Sequence, residues 1–358
     1  IYLADLGEIP YMSFLSINIG TNSAAVVQGT VSGGTVSIET AGRAPLKAGT
    51  IIDSSIRNQP ELVSSVTNLI QRKSLKAKKA IVTINAANAL IREFSVPDGK
   101  LRQLESMVRS EMINTYSALA SDVIEFKKLG DETSESGGKL IRVRAMALNN
   151  DMVDSYRSFL LACKLKPHAL DFYANSVEKL LAARPALNGQ DLAGKSFILL
   201  DFAYAGVMAY IVYDYVVYAA RFIPIGLADL ETVIMSYRYD LQNEDGAPLD
   251  FTQLLDFTTG SATSPSLLRS AGEVLTQCCN EIQKLIIYST SRLPQNVISA
   301  AFLTGEGSEI HAVDTVFSRE LNASVQPLTS FSNVRFLNGD DEKDIRKYLN
   351  SIGALIRL

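Results

Sequence analysis

The sequence predicts an α/β fold of two similar halves around a cleft, with a small α+β subdomain inserted in the first half. Three observations predict it. A layout of three short apolar strands followed by helical periodicity occurs twice, from residue 14 and again from residue 196. Further apolar strands alternate with helices of 3.6-residue period after each triplet, the pattern of an α/β chain. Between the halves lies a block of different pattern, with two strands and two helices around a polar loop. The cleft between two such halves is a natural ligand site.

Taken in order, the first triplet is Phe14–Ile19, residues 24–31 and residues 35–44, with tight turns at 20–22 and 33–34. Residues 59–72 place Leu62, Val63, Val66, Leu69 and Ile70 on one helical face. Strands are expected at 79–85 and 89–96. In the inserted block, Pro97 and Asp98 open a helix whose Leu101, Leu104, Val108 and Met112 share a face. Strands at 123–129 and 139–148 flank the polar loop 130–138. A second amphipathic helix follows, carrying Met152, Val153, Tyr156, Phe159 and Leu160.

The second triplet is 197–202, 206–213 and 216–222, with Asp214 and Tyr215 as its second turn. Helices at 227–238 and 267–293, a strand at 299–307 and a closing helix within 344–358 complete the chain. The expected division is 1–11 (an N-terminal extension or an expression-derived segment), 12–96 (first half) and 97–165 (insert). Residues 166–195 form a helix and linker, 196–340 the second half, and 341–358 the closing helix. Met12 reads as the natural start, and residues 1–11 lack the basic region of a signal peptide.

Composition narrows the function. With 358 residues, 47% hydrophobic and 20% charged, the chain is expected to be globular with two domains. A net charge of −4 leaves no electrostatic footprint for nucleic acid, and the basic run at 72–79 reads as a solvated helix end. Three cysteines, two of them the neighbours Cys278 and Cys279, are too few for a disulfide framework and point to a reducing, cytoplasmic compartment. His168 and His311 stand far apart with no ligand spacing around them, which argues against zinc. No apolar run reaches the roughly 18–20 residues of a membrane helix. Gln28 and Lys128 are expected to be exposed and tolerant of substitution.

The stretch "LSINIGTNSAAVVQG" (15–29) runs a strand into Gly20, Thr21 and Asn22 and out again. Such a turn presents backbone N–H groups to an anion without a Cβ in the way. It is also sound hairpin chemistry with no ligand at all. Asn18 ends the first strand where an Asp would serve magnesium. Its carbonyl can accept from a metal-bound water but adds no charge.

"SINIGTNSAAVVQ" (16–28), "ILLDFAYAGVMAYIVYDYVVYAARFIPIG" (198–226), "EIQKLIIY" (281–288), "AAFLTGEGSEI" (300–310) and "YLNSIGALIRL" (348–358) occur in this order around the insert. Together they resemble the PilM family of type IV pilus assembly proteins, actin-like (ribonuclease-H-like) relatives of the FtsA division proteins. The resemblance covers residues 12–358. It implies a nucleotide cleft for ATP with Mg2+. In that reading Asn18, Gly20, Thr21 and Asn22 form the first phosphate hairpin, and Asp201, Ala203 and Tyr204 the second. Asp201 would hold magnesium through water. Gly305, Glu306, Gly307 and Ser308 would pass under the adenosine, and Glu281 and Lys284 would flank its edge.

Three positions depart from the family pattern. Asn18 replaces an Asp. Ala203 puts a Cβ where the first hairpin has Gly20, restricting positive φ, and Tyr204 adds bulk beside it. Glu306 interrupts a glycine run; pointing into the cleft, it would set a carboxylate against a polyphosphate of like sign, whereas pointing out it would leave the loop able to work. No carboxylate or Gln can be assigned to the attacking water, so a degenerate ATP site with little or no hydrolysis is expected. The resemblance further implies a cytoplasmic scaffold, peripherally associated with the inner membrane through its partners. It would bind the cytoplasmic tail of PilN in a groove between the first-half core and the insert, near residues 97–116. Other platform proteins, the assembly ATPase and self-association complete the expected partners. The alternatives are an FtsA-like division filament and a kinase of the same superfold.

Overall fold

The structure, a computed structural model, describes residues 13–85, 89–134, 137–237, 250–291, 297–338 and 344–357. Met12, the segment 1–11, Arg238 and the expected helix end at 292–293 lie outside these residues.

Strands β1 (Phe14–Ile19), β2 (Ser23–Ser32) and β3 (Thr35–Pro45) form an antiparallel meander. A short hairpin of β4 (Ile51–Ile52) and β5 (Ser55–Ile56) leads to α1 (Gln59–Arg72). That helix begins where the Asn58 side chain accepts the Glu61 N–H, with Pro60 in its first turn. Then β6 (Lys79–Ile84) returns parallel to β1.

The insert holds β7 (Leu90–Pro97), α2 (Leu101–Thr115), β8 (Val123–Thr133) and β9 (Lys139–Leu148). Its strands make an antiparallel sheet in the order β7-β9-β8, and α2 packs Leu104, Val108 and Met112 against it. Next come α3 (Asn150–Ala162), β10 (Lys166–Phe172) and α4 (Tyr173–Ala182).

The second half begins with the meander β11 (Ser196–Phe202), β12 (Val207–Tyr213) and β13 (Val216–Ile223). It continues through α5 (Leu227–Tyr237), α6 (Phe251–Leu254), α7 (Pro265–Thr290) and β14 (Ile298–Thr304). The chain then forms α8 (Val313–Leu321), β15 (Val325–Pro327), β16 (Val334–Phe336) and α9 (Leu349–Leu355).

The two halves are equivalent in topology. One sheet runs β10-β6-β1-β2-β3-β16 and the other β13-β12-β11-β14-β15. Read from β3 to β10, the first has the order and strand directions of the second: an antiparallel meander, then two parallel strands. Both central strands are covered on both faces; all seven residues of β11 are buried. Helices α1 and α3 cover the outer face of the first sheet, and α5, α7 and α8 that of the second. A third core lies between the sheets, where α4 and α9 are wedged. There Gly353 touches the backbone of Ser176 so closely that a Cβ would stand 2.1 Å from its carbonyl oxygen.

Several expectations need correction. β7, read as the end of the first half, pairs with β9 along its whole length and so belongs to the insert's sheet, which has three strands rather than two. Helix α3, assigned to the insert, buries Tyr156, Phe159 and Leu160 in the first-half core. Residues 166–172 are a strand at the edge of the first sheet rather than linker, because β6 offers them a parallel partner. β16 crosses back from the second half to pair with β3. Gln28 is buried, not exposed. Its carbonyl accepts the N–H groups of Lys76 and Ala77, at 2.8 and 2.9 Å, and its amide donates to Glu39 at 2.6 Å.

Gln28 therefore closes the loop between α1 and β6 onto β2. Gln28→Ala is expected to lower stability by about 1–3 kcal/mol, since it orphans two buried donors. Lys128→Ala, on an exposed position, is expected to change it by less than about 0.5 kcal/mol. Chemical denaturation of the two variants checks the contrast.

Candidate functional site

The turns of the β1–β2 and β11–β12 hairpins line one cleft of about 780 Å3. They close alike. The Gly20 N–H donates to the Ser23 carbonyl at 2.9 Å, and the Ala203 N–H donates to the Gly206 carbonyl at 3.0 Å. Among the described residues no acceptor meets the N–H groups of Thr21, Asn22, Tyr204 and Ala205. Donors of this kind suit an anion.

The strain expected at Ala203 is not there. Neither Gly20 nor Ala203 adopts a positive φ, and a Cβ on Gly20 would come no closer than 3.3 Å to its nearest neighbour, the Ser23 carbonyl. The glycines that the second hairpin needs are elsewhere. A Cβ on Gly206 would stand 2.2 Å from the Ile223 carbonyl, and one on Gly226 would stand 2.5 Å from that of Tyr204. The start of α5 thus lies on the turn backbone: Leu227 and Ala228 donate to the carbonyls of Ala203 and Tyr204. The Tyr204 hydroxyl bonds Glu231 on α5, which ties its ring to that helix, and the residue still lines the cleft.

The loop after β14 lies flat on β11. Gly305 has a φ of +84°, and a Cβ there would stand 2.4 Å from the Phe202 carbonyl; one on Gly307 would strike the Phe202 ring. Between these two glycines Glu306 points into the cleft. Its carboxylate accepts from the Ser23 hydroxyl at 2.9 Å and the Asn22 amide at 3.3 Å, and pairs with Arg43 of β3. Arg43 also donates to the Ser23 hydroxyl at 2.8 Å. Pointing into the cleft, the carboxylate faces a guanidinium and two neutral donors. Ser308 is buried beneath the loop, donating to the Gly305 carbonyl at 2.7 Å.

At the floor of the cleft, Asp201 is 6% exposed and accepts the Asn350 amide at 2.7 Å. Burial pushes its carboxyl up to about 6, opposed by the Asn350 bond and the positive charge of Arg43. Asn18 lies beside the buried Tyr173, and its Oδ1 is buried without a partner among the described residues. Glu281 and Lys284 do not line the cleft. They pair at 2.5 Å on the surface of α7, where Glu281 also meets Arg221 at 3.3 Å. Among the described residues no cluster of three or more His, Cys, Asp or Glu could hold a metal ion.

Sequence reasoning missed Arg43, Tyr173, Arg346 and Asn350. Arg346 is chelated by Asp344, while its carbonyl accepts the Gly305 N–H and the Thr304 hydroxyl, pinning the loop from behind. None of the four lies in a glycine turn. Only Asn350 fell within a quoted motif, where it read as part of a packing helix.

Two topologically equivalent sheets, each presenting a β-hairpin to a shared cleft, define a protein of the actin-like class. The fold agrees with that of ethanolamine utilization protein EutJ from Carboxydothermus hydrogenoformans, with a TM-score of 0.55 at 11% identity over 98% of this chain and 91% of that one. It agrees further with a PilM–PilN type IV pilus biogenesis complex, with a TM-score of 0.77 at 16% identity over 97% of this chain and 98% of that one. The family model of type IV pilus assembly protein PilM matches residues 16–355, and the chain belongs to that family. No curated protein sequence is significantly similar to it. Among the described residues no helix is long and apolar enough to cross a membrane.

The buried Asp201 carboxyl has a consequence in pH. Its folded pKa of about 6 lies above the ordinary 3.8, so the native state holds a proton that the unfolded chain has released. Stability from this group is greatest below pH 3.8 and falls as pH rises through about 6, by about 3 kcal/mol at about 1.4 kcal/mol per pH unit. Asp201→Asn is expected to flatten that part of the stability–pH curve, read by urea denaturation between pH 4 and 7.

Proposed function

We propose that this chain is a cytoplasmic scaffold of type IV pilus biogenesis. It captures the cytoplasmic tail of a PilN-like partner and links the inner-membrane platform to the assembly motor. Its cleft is a degenerate ATP site with little or no hydrolysis. The observation that carries the reading is the match of the PilM family model to residues 16–355, with agreement over 97% of the chain with a chain of a PilM–PilN complex.

The tail would lie in the groove between the first-half core and the insert, near α2. Leu101 and Tyr116, at the two ends of that helix, are large apolar residues left exposed. An extended peptide gains affinity from such anchors together with main-chain bonds.

In the cleft, the N–H groups of Thr21, Asn22, Tyr204 and Ala205 would hold phosphate oxygens, with the Gly305 loop beneath the nucleoside. Asp201 would hold magnesium through water. Bound Mg-ATP would supply a strongly anionic tail and a divalent charge. Hydrolysis needs a group that orients water for in-line attack. The carboxylates lining the cleft are already engaged: Asp201 by Asn350, Glu231 by Tyr204 and Glu306 by Arg43, while Asp53 has a partner as well.

Calorimetric titration with a synthetic PilN-like tail is expected to give a Kd on the order of micromolar, about −8 kcal/mol. Leu101→Asp should weaken it by about tenfold or more. No heat of binding with the wild type would sink the scaffold reading. In a phosphate-release assay with Mg-ATP, clean protein is expected to match the blank, and sustained magnesium-dependent turnover would show a working ATPase.

A further inference from the structure

We propose that Glu306 is a built-in occupant of the oxyanion seat formed by Asn22, Ser23 and Arg43, an autoinhibitory carboxylate that an incoming phosphoryl group must displace. The proposal rests on the reading that the cleft takes a phosphorylated ligand, and adds how access to it is controlled.

The seat belongs to the first half and its occupant to the second. Asn22 and Ser23 come from the β1–β2 turn and Arg43 from β3, while Glu306 follows β14. A guanidinium, an amide and a hydroxyl converging on one anion are the donors a phosphoryl group would use, since carboxylate and phosphate make the same charge-assisted bonds. The seat is sheltered: the Arg43 and Glu306 side chains are 22% and 24% exposed.

Delivery of the carboxylate is set by backbone packing. Gly305 and Gly307 leave no room for a Cβ against Phe202, so the loop lies close on β11, and Glu306 between them faces the seat. The other cations lining the cleft offer no substitute. Arg346 pairs with Asp344 at 2.6 Å and Lys347 with Glu309 at 2.8 Å.

A tethered competitor lowers apparent affinity in proportion to the fraction of molecules in which the seat is open. A seat closed in roughly nine molecules of ten costs about tenfold, and one closed in ninety-nine of a hundred about a hundredfold. Because the contact bridges the two halves, releasing it should also loosen the first hairpin and the 304–309 loop.

The test uses the full chain and its variants Glu306→Gln, which keeps the shape and removes the charge, and Glu306→Ser, a second variant should the first fold poorly. Titration with inorganic pyrophosphate and with Mg-ATP at low salt is expected to show affinity raised by about tenfold or more in both. Hydrogen exchange on the ligand-free variants should rise at residues 20–23 and 304–309 and stay unchanged in α1. Arg43→Gln should give the same rise in exchange but lose pyrophosphate binding, since it removes the seat itself. Binding by the wild type with no gain in either Glu306 variant would overturn the proposal. Failure of wild type and variants alike to bind either ligand would overturn it through its premise, the phosphorylated ligand, which separates the two failures.

Discussion

The interaction on which the rest depends is the apolar wedge between the two sheets. Val27 and Ile38 of the first sheet and Phe197, Leu199 and Phe302 of the second face one another across α4 and α9. Those helices contribute Val177, Leu180, Leu181, Ile352 and Leu355. Two sheets joined only by linkers would slide; a shared core packed to crystal-like density does not. The close approach of Gly353 to Ser176 sets the spacing of the helices. A buried pair, Lys179 to Asp171 at 2.5 Å, ties α4 to β10. Asp171 also accepts from Asn175 and the Phe172 N–H, so the buried carboxylate is fully partnered, and breaking such a pair is costly.

With the wedge in place, the two hairpins meet at one cleft, and its character follows from what surrounds each. The second hairpin is the more constrained. Its carbonyls are taken by the start of α5, its exit strand needs Gly206, and the Gly305 loop lies on its entry strand. The first hairpin is looser in backbone but is held by side chains, through Asn22 and Ser23 to Glu306. The asymmetry places a fixed backbone cradle opposite a polar side-chain seat. It also gives three positions of the cleft unequal effects: Ala203 costs the backbone nothing, Asn18 has an Oδ1 without a partner among the described residues, and Glu306 sets the electrostatics.

The meanders and amphipathic helices were legible because their signals are local. Glycine turns at 20 and 33, alternation along β1 to β3, and the Leu62–Val66–Leu69 stripe of α1 each lie within one stretch of chain. β10 escaped because Lys166, Pro167 and His168 are poor strand formers; an edge beside β6 recruits them, and an edge is where a strand tolerates proline. β16 is three residues long, too short for a period to show. Gln28 was misjudged because a polar residue on a strand reads as solvent-facing, whereas the loop at 76–77 folds over it and needs an acceptor.

The sequence by itself determined the duplicated α/β plan and the hairpin turns, because short-range periodicity and turn chemistry encode them, while the family was carried by the order of five motifs around the insert. Only the tertiary structure decided that β7 joins the insert, that α3 leaves it, and that Glu281 and Lys284 stay out of the cleft. It alone brought Arg43 and Asn350 to the cleft, from positions 307 residues apart, and set Arg43 against Glu306. The physical reason is that a charged side chain takes its meaning from its partner. Whether Glu306 repels a ligand or holds a cation depends on Arg43 across the cleft, and that distance is set by the packing of α4 and α9, to which neither residue belongs.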